Sequence, residues 1–292
     1  MNLLGEYQNG NYKVSIYDDG TKIRETEDNQ FISAFPECMD IKITDYCDMG
    51  CPYCHENSTK QGKHGDILHA KFIDSLHPYT ELAIGGGNPL SHPDFIPFLE
   101  KLKEKNIIAN VTVNQKHFLD NNPMLRNLID EGLIKGLGVS FTHYNDGLFL
   151  ALHYFPSAVL HIINGVVNLD ELKLLYGEGF KVLILGYKQF RRGKDFYSEE
   201  VENNKKIIYK ELPNIIKNFK VVSFDNLAID QLNVKRLMSK EKWNEFYMGD
   251  DGQFTMYIDM VNQKFARCSI STKRYDIMDN VEDMFKIVKA EK

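Results

Sequence analysis

Three of the five cysteines in this chain lie within eight consecutive residues, Cys47-Asp48-Met49-Gly50-Cys51-Pro52-Tyr53-Cys54. Random placement of five cysteines in 292 residues would rarely produce such a cluster, so it requires a local explanation. Neighbouring thiolates gain most by sharing a metal centre, because coordination favours their deprotonated form. The spacing C-x3-C-x2-C therefore predicts a metal site at Cys47, Cys51 and Cys54.

The number of ligands distinguishes two kinds of metal site. A structural zinc ion prefers four ligands, and the fourth here would have to be His55, His64 or Cys38. An iron–sulfur cube held by three cysteines instead leaves one iron open, and that iron can bind a second molecule. The three-cysteine spacing therefore favours a reactive iron–sulfur centre, and structural zinc is the alternative.

The residues before the cysteines extend this motif. The run Ile41-Lys42-Ile43-Thr44-Asp45-Tyr46, followed by the three cysteines, resembles the signature of the radical S-adenosylmethionine (radical SAM) enzymes. The resemblance implies that the cysteines hold one [4Fe–4S] cluster, that SAM binds the open iron, and that Tyr53 helps to frame the adenine. It also implies that one electron from the cluster cleaves SAM, and that the resulting 5′-deoxyadenosyl radical abstracts a hydrogen atom from a substrate.

A glycine run, Gly85-Gly86-Gly87-Asn88-Pro89, follows the second predicted strand. Glycines after a strand let the backbone approach a ligand closely. The position of this run resembles that of the family's GGEP motif, which contacts the amino group of SAM. We therefore expect Gly86, Gly87 and Asn88 to bind SAM. Asn88 replaces the family's glutamate, and its amide offers the ammonium group a carbonyl oxygen without the negative charge.

Polar residues at later strand ends are further candidates for SAM binding, since active sites of (β/α) barrels lie at the carboxyl ends of the strands. Asn114, Ser140 and Asn164 occupy such positions, where the resemblance implies contacts with the ribose and carboxylate of SAM. Lys188 follows the sixth strand and is expected to bind a carboxylate of SAM or an anionic group of the substrate. The alternative for Lys188 is a solvated basic turn.

Six short β-rich runs alternate with helical patterns in the middle of the chain. The predicted strands are 40–44, 81–85, 107–113, 134–142, 158–164 and 181–187. Parallel strands joined by crossover helices explain this alternation. We therefore predict an α/β fold with a partial (β/α)6 TIM-like barrel, in which the cysteine loop lies at the carboxyl ends of the strands.

The chain divides into three predicted regions, which are an N-terminal β-hairpin region (1–35), a radical SAM partial barrel (36–192) and a small C-terminal α+β appendage (193–292). Turn signals at residues 9–11 and 18–20 indicate the hairpin. Within the appendage we predict a charged helix at 193–220, a β-rich run at 220–229, a linker around Trp243, a hairpin formed by 253–259 and 264–270, and a last helix capped by Asn280.

The appendage resembles a truncated form of the SPASM/twitch-like extension of peptide-modifying radical SAM enzymes, which carries cysteines for auxiliary clusters. Its only cysteine is Cys268, so even with Cys38 it cannot hold a four-cysteine cluster, and we expect one [4Fe–4S] cluster in all. Cys268 is a candidate catalytic residue that donates a hydrogen atom to a substrate radical, as the resembling peptide epimerases do. The alternative is that Cys268 packs the hairpin as a small buried residue, and Cys38 is expected in the core.

Composition sets limits on location and partners. A hydrophobic fraction of 43% fills a core, and a net charge of −6 argues against non-specific nucleic-acid binding. No apolar run approaches the roughly 18 residues of a membrane span, and the amino terminus lacks a signal-peptide pattern. The protein is expected to be cytoplasmic, without membrane contact. An external electron donor of the flavodoxin or ferredoxin type is implied, because no flavin or second cluster site is visible.

These observations predict a radical SAM enzyme that acts on a peptide or protein, with a small molecule as a less favoured substrate. One alternative is a radical SAM enzyme that modifies nucleosides or nucleotides. A second alternative is a non-catalytic protein that binds an iron–sulfur cluster or zinc, and Asn88 in place of glutamate is the feature that favours it.

Overall fold

The computed structural model describes residues 2–291, which form two β-sheets and a layer of helices. The first sheet contains β1 (Leu3–Asn9), β2 (Tyr12–Tyr17) and β3 (Lys22–Glu25), which pair antiparallel in chain order. The predicted N-terminal hairpin is thus confirmed, and β3 adds a third strand to it.

Six parallel strands form the centre of the second sheet, one for each strand predicted from the sequence. They are β4 (Cys38–Thr44), β5 (Glu81–Gly86), β6 (Ile108–Asn114), β7 (Gly136–Ser140), β8 (Ala158–Ile163) and β9 (Lys181–Leu185). Each pairs in parallel with the next along the chain. The predicted α/β fold with a mostly parallel sheet is confirmed, and the helices supply the crossovers that parallel neighbours require.

Strands from the C-terminal region extend this sheet at both edges. They are β10 (Val221–Phe224), parallel to β9, and β11 (Thr255–Asp259), parallel to β4, followed by the antiparallel β12 (Lys264–Ala266) and β13 (Tyr275–Asp276). The strand order is β10-β9-β8-β7-β6-β5-β4-β11-β12-β13, so strand pairing does not close the barrel. The region boundaries at 35/36 and 192/193 stay predictions.

Helices connect the strands on the outside of the sheet. They are α1 (Phe95–Glu104), α2 (Gln115–Asp120), α3 (Asn122–Asp130), α4 (Asp146–Tyr154), α5 (Leu169–Lys173), α6 (Arg192–Phe196), α7 (Glu199–Asn218), α8 (Asn226–Leu232), α9 (Lys240–Phe246) and α10 (Val281–Ala290), with 3-10 turns at Lys71–Ser75, Pro89–Ser91 and Val234–Leu237. The predicted cap of α10 is confirmed, because the Asn280 side chain accepts hydrogen bonds from two backbone N–H groups of its first turn.

Three predicted details of the C-terminal region are wrong, each because a capping side chain starts a helix. The single helix expected at 193–220 is divided into α6 and α7, since Ser198 caps α7. The β-rich run at 220–229 ends at Phe224, since Asp225 caps α8. The linker around Trp243 is instead helix α9, which Ser239 caps.

Burial alternates along the central strands, so the sheet has one apolar face and one open face. On β4, Met39, Ile41 and Ile43 are buried in the main hydrophobic core, whereas Asp40 between them remains accessible. On β5, Ala83 is likewise accessible between buried neighbours. Because strand side chains point alternately to opposite faces, the accessible set lines the inside of the curved sheet.

The small N-terminal sheet is attached at the amino-terminal end of the barrel. The Lys22 ammonium lies 2.7 Å from the Glu81 carboxylate. Arg24 donates a 2.8 Å hydrogen bond to Glu37, and the Tyr12 hydroxyl donates a 2.5 Å bond to the same carboxylate. Since Glu37 immediately precedes β4, these contacts leave the carboxyl-terminal ends of the strands for the site. No helix within residues 2–291 has the length and apolar character needed to span a membrane.

Candidate active site

The cysteine loop leaves the carboxyl end of β4, as the sequence predicts, and backbone hydrogen bonds fix its base. The Cys47 N–H donates to the Thr59 carbonyl over 2.9 Å, and the Thr59 N–H donates to the Asp45 carbonyl over 3.0 Å. The Asp45 N–H donates to the Lys63 carbonyl over 2.8 Å. The loop therefore returns alongside its own first residues and forms a defined platform without helix or strand.

The three cysteines of this loop are half-buried free thiols. Burial raises the pKa of Cys47 and of Cys51, and repulsion from neighbouring thiolates raises both further. The charge of Arg192 acts in the opposite direction on both groups. The thiolate forms thus need further positive charge, which a bound metal centre supplies.

Two observations test whether these residues fit an iron–sulfur cluster. The Arg192 Nε is buried without a hydrogen-bond partner in the described part of the chain, so one donor beside the thiols stays available for an acceptor such as sulfide. Among residues 2–291, no three cysteine, histidine or acidic side chains converge on one metal position. The assignment of Cys47, Cys51 and Cys54 as ligands of a cluster therefore stays a prediction.

The fourth ligands considered for zinc have other positions or partners. Cys38 begins β4, at the opposite end of that strand from the cysteine loop, and burial raises its pKa strongly. The His64 Nδ1 lies 2.9 Å from the Thr44 hydroxyl. The His55 Nε2 lies 3.4 Å from the Glu56 carboxylate and 3.4 Å from the Lys188 ammonium. The zinc alternative therefore gains no support from the geometry.

The glycine run after β5 is joined to the base of the cysteine loop. The Gly87 N–H donates to the Thr44 carbonyl over 2.7 Å, and the Asn88 N–H donates to the Tyr46 carbonyl over 2.6 Å. A Cβ on Gly87 would lie 2.0 Å from the Tyr46 oxygen, and Gly86 has a φ of 115°. These two glycines are thus required by the approach of one loop to the other. Gly85 differs, because no atom lies within 4 Å of the position of its Cβ.

Asn88 and Tyr53 both have structural contacts at the positions where the sequence predicts SAM contacts. The Asn88 side chain accepts a 3.2 Å hydrogen bond from the Leu90 N–H and so caps the following 3-10 turn. The Tyr53 ring meets the Phe196 ring edge-on with centroids 5.7 Å apart. Burial raises the pKa of Tyr53 to about 12, and the charges of Cys51 and Cys54 contribute. Tyr53 therefore lies beside the cysteine thiols under helix α6.

The three predicted polar residues at strand ends separate into a pair and a single residue. Asn114 and Ser140 are register partners at the ends of β6 and β7, and Ser140 is also in register with His161 on β8. Asn164 is buried after β8, where its amide nitrogen donates a 3.0 Å hydrogen bond to Gln231. Its carbonyl oxygen is buried without a partner in the described residues. The structure thus brings Asn114 and Ser140 together and directs Asn164 toward helix α8.

Lys188 and the residues after it pack against the cysteine loop. The Lys188 ammonium donates a 2.9 Å hydrogen bond to the Ser269 hydroxyl. Arg191 donates a 2.6 Å bond to the Glu56 carbonyl, and Arg192 donates a 2.6 Å bond to the Ser58 carbonyl. The alternative of a solvated basic turn is therefore wrong, because these side chains join the end of β9 to the cysteine loop.

A buried ionic cluster that the sequence did not predict lies beneath the cysteine loop. The Lys42 ammonium lies 2.7 Å from Asp45, 3.4 Å from Glu56 and 3.1 Å from Asp259. The Tyr257 hydroxyl donates a 3.2 Å hydrogen bond to Glu56. These contacts join β4, the cysteine loop and β11. A lysine between two isoleucines in a strand was the available signal, since an unpaired ammonium is seldom buried.

Cys268 lies just beyond β12, in the loop that reaches Lys188. It is half-buried, and its thiol lies 3.4 Å from the Ser271 hydroxyl. The next residue, Ser269, accepts the Lys188 hydrogen bond and, through its carbonyl, a 2.6 Å bond from Arg274. Cys268 therefore belongs to a segment that the Lys188–Ser269 hydrogen bond joins to the end of β9, and its role as a hydrogen donor stays a prediction.

Comparison with known proteins identifies a matching family model and solved structures of similar fold. The family model described as the Radical SAM superfamily matches residues 41–185. This range begins in β4 and ends with β9, and it includes the cysteine loop, the glycine run and the strand ends described above. No curated protein sequence matches the chain.

Three solved structures share the fold at low sequence identity. SuiB of Streptococcus suis bound to the precursor peptide SuiA aligns with a TM-score of 0.59, 14% identity and 87% of this chain. SuiB bound to S-adenosylmethionine gives a TM-score of 0.60, 12% identity and 89% of this chain. The present chain spans only 65% and 67% of those two SuiB chains. Native anSMEcpe with bound AdoMet gives a TM-score of 0.54 and 15% identity over 87% of this chain and 81% of that one.

Proposed function

Because residues 41–185 place this chain in the radical SAM superfamily, whose members are enzymes, we propose that it modifies a peptide by hydrogen-atom abstraction. In this proposal, Cys47, Cys51 and Cys54 hold one [4Fe–4S] cluster. When bound, the cluster and SAM would supply a 5′-deoxyadenosyl radical after transfer of one electron from an external flavodoxin-type or ferredoxin-type donor. The remaining steps of the proposal concern what the residues of this chain do.

The observation that carries the proposal is the position of the three thiols. They lie half-buried on one loop at the carboxyl end of β4, and Arg192, whose charge acts on Cys47 and Cys51, has a buried Nε without a hydrogen-bond partner among the described residues. Arginine binds anionic acceptors strongly in such a setting, so this donor suits the sulfur atoms of a cluster. Hydrogen bonds from Gly87 and Asn88 hold the neighbouring loop against the same platform.

The polar strand ends supply the surface on which SAM would lie. Asn114 and Ser140 are adjacent on the open face of the sheet, and the open space beside Gly85 leaves room next to them for a ligand. We propose that the backbone around Gly86 and Gly87 receives the methionine end of SAM. The side-chain oxygen of Asn88 already caps the next turn, so we propose that its side-chain NH2 group contacts SAM.

The peptide substrate is supported by the structural neighbours. SuiB, which shares the fold, has been solved bound to a precursor peptide. Strand pairing leaves the barrel open between β10 and β13, and we propose that an extended chain enters on that side. We propose Cys268 as the candidate hydrogen donor, because the adjacent Ser269 is joined through Lys188 to His55, the residue after Cys54.

The test is anaerobic reconstitution with iron and sulfide, followed by SAM and dithionite and quantification of 5′-deoxyadenosine. Formation in the wild-type protein and its absence from a Cys47→Ala variant would support the proposed chemistry. Deuterium transfer from labelled peptides into 5′-deoxyadenosine would then identify the substrate. Iron-loaded protein that never cleaves SAM with any peptide, or protein that isolates with zinc in the absence of oxygen, would reject the proposal.

A further inference from the structure

The inside of the barrel is lined by unusually small residues on two strands. In closed (β/α) barrels, layers of bulky branched side chains fill this space. Here the inward positions of β5 carry Ala83 and Gly85, and those of β7 carry Gly136 and Gly138. A Cβ on Gly85 would meet no atom within 4 Å. The interior is therefore open beside Gly85 and around the accessible Asp40 on the neighbouring strand, whereas the side chains of Asn110 and His161 occupy the space over Gly136 and Gly138.

Polar side chains surround this open space at the level of those small residues. Asp40 on β4 is in register with Ala83, Ala83 with Asn110, and Asn110 with Gly136. The His161 ring lies directly over Gly138, since a Cβ there would come within 2.6 Å of its Nε2. Burial lowers the pKa of His161 to about 4, so the imidazole is neutral at physiological pH.

Asp40 is the charged group of this open space that other residues leave unsatisfied. It lies on a central strand, yet its side chain is accessible from the interior and makes no hydrogen bond or ion pair with another described residue. Burial raises its pKa, and the charges of Asp251, Asp225 and Glu56 add to that effect while Lys188 opposes it.

Lys188 does not neutralise this carboxylate by direct contact. Its ammonium donates to the Ser269 hydroxyl over 2.9 Å and lies 3.4 Å from His55. Lys42, the neighbouring cation on the same face of β4, is already bound by three carboxylates. Asp40 thus offers an accessible carboxylate without a direct cationic partner among the described residues, and this arrangement favours binding of a cationic group.

We propose that this open space is a binding site for an alkylammonium or guanidinium group, with Asp40 as its counter-ion and Asn110 beside it. If the proposed function holds, that group is the basic side chain or amine of the peptide substrate. SAM also carries an ammonium group, and it is the other source of the same chemistry. Asp40 precedes Thr44 by four residues on β4, about 13 Å along an extended strand, which places the site below the cysteine loop.

The test measures binding without turnover. Reconstituted protein saturated with SAM, without reductant, is titrated with n-butylammonium and, as a matched neutral probe, n-butanol. We expect selective binding of n-butylammonium that weakens about tenfold or more in Asp40→Asn, because a charge-assisted hydrogen bond is lost. The control Asp146→Asn removes an exposed carboxylate at the start of α4 and should leave the affinity unchanged.

Two results would overturn the inference: no preference for n-butylammonium over n-butanol while SAM is bound, or equal binding by wild type and Asp40→Asn. If Asp40→Asn does not fold, Ala83→Leu fills the adjacent space without a change of charge and should abolish binding; retained binding there would contradict the proposal. Because the assay does not use SAM cleavage, a failure to form 5′-deoxyadenosine rejects the proposed function separately.

Discussion

The Glu56 carboxylate lies 3.4 Å from the Lys42 ammonium, and this contact links the residue two places beyond the last loop cysteine to the strand below it. The other Glu56 oxygen accepts the 3.2 Å hydrogen bond from Tyr257 on β11. Arg191 from the segment after β9 lies 3.3 Å from the same carboxylate. One side chain thus holds together the cysteine loop, the first barrel strand and two parts of the chain from the second half.

We expect Glu56→Ala to lower the free energy of unfolding by about 3 kcal/mol, because it leaves buried cations with fewer partners. Urea unfolding of the metal-free protein measures the effect. The control is Arg126→Ala, which breaks an exposed pair with Asp130 at 3.0 Å and should cost less than about 1 kcal/mol. Equal losses in the two variants would show that the buried cluster contributes no more than a surface pair.

Gly87 and Gly85 allow a comparison between a crowded and an open position in the same glycine run. Gly87→Ala should destabilise the protein by more than about 2 kcal/mol, because its Cβ would lie 2.0 Å from the Tyr46 carbonyl and would force the two loops apart. Gly85→Ala should leave stability nearly unchanged, since its Cβ enters open space. Thermal unfolding of both variants tests this, and SAM affinity should fall in Gly85→Ala if that space receives SAM.

Stability should depend on pH through His161. Burial lowers its pKa to about 4, so between pH 6.5 and pH 4 the unfolded chain binds a proton that the folded chain does not. The free energy of unfolding therefore falls as the pH falls through that window, by up to about 3 kcal/mol from this group. Urea midpoints of wild type and His161→Gln from pH 7 to pH 4 measure it. Parallel curves for the two proteins would refute the assignment.

Alanine variants of the cysteines should divide into two classes by the iron content of the reconstituted protein. Cys54→Ala should lose the cluster and all SAM cleavage, because only two thiolate ligands remain on the loop. Cys268→Ala should retain both, and with substrate present it should consume SAM without completing the product. Native SAM cleavage in Cys54→Ala would refute the cluster assignment, whereas an unchanged product in Cys268→Ala would exclude it as the hydrogen donor.

Arg192 should influence the reduction potential of the bound cluster. Its buried Nε has no partner in the described residues, and its charge favours the thiolates of Cys47 and Cys51. Arg192→Met removes a positive charge and a donor, so the potential should fall by about 60 mV, which for one electron corresponds to about 1.4 kcal/mol. An EPR-monitored redox titration measures the shift, with iron content as the control. An unchanged reduction potential at full iron loading would show that Arg192 does not act on the cluster.

The sequence by itself determined the order of the central strands and the position of the cysteine loop at the end of the first of them. The six central strands could be predicted because buried parallel strands are short apolar runs between helical patterns. The loop cysteines could be found because their spacing is local, and no tertiary contact is needed to recognise it. The sequence did not predict that new helices begin after Ser198 and Asp225. A single capping residue decides whether a helix starts there, and the pattern of the surrounding residues does not locate such a boundary to within one or two residues.

Only the tertiary structure decided which distant residues meet. The sequence separation between Lys42 and Asp259 is 217 residues, and their contact exists because β11 pairs in parallel with β4. The same folding places Asp40 on the inner face opposite small residues of other strands, and it separates Asn164 from the polar pair formed by Asn114 and Ser140. Local patterns specify which face a side chain occupies, but strand order and curvature determine its neighbours across the barrel.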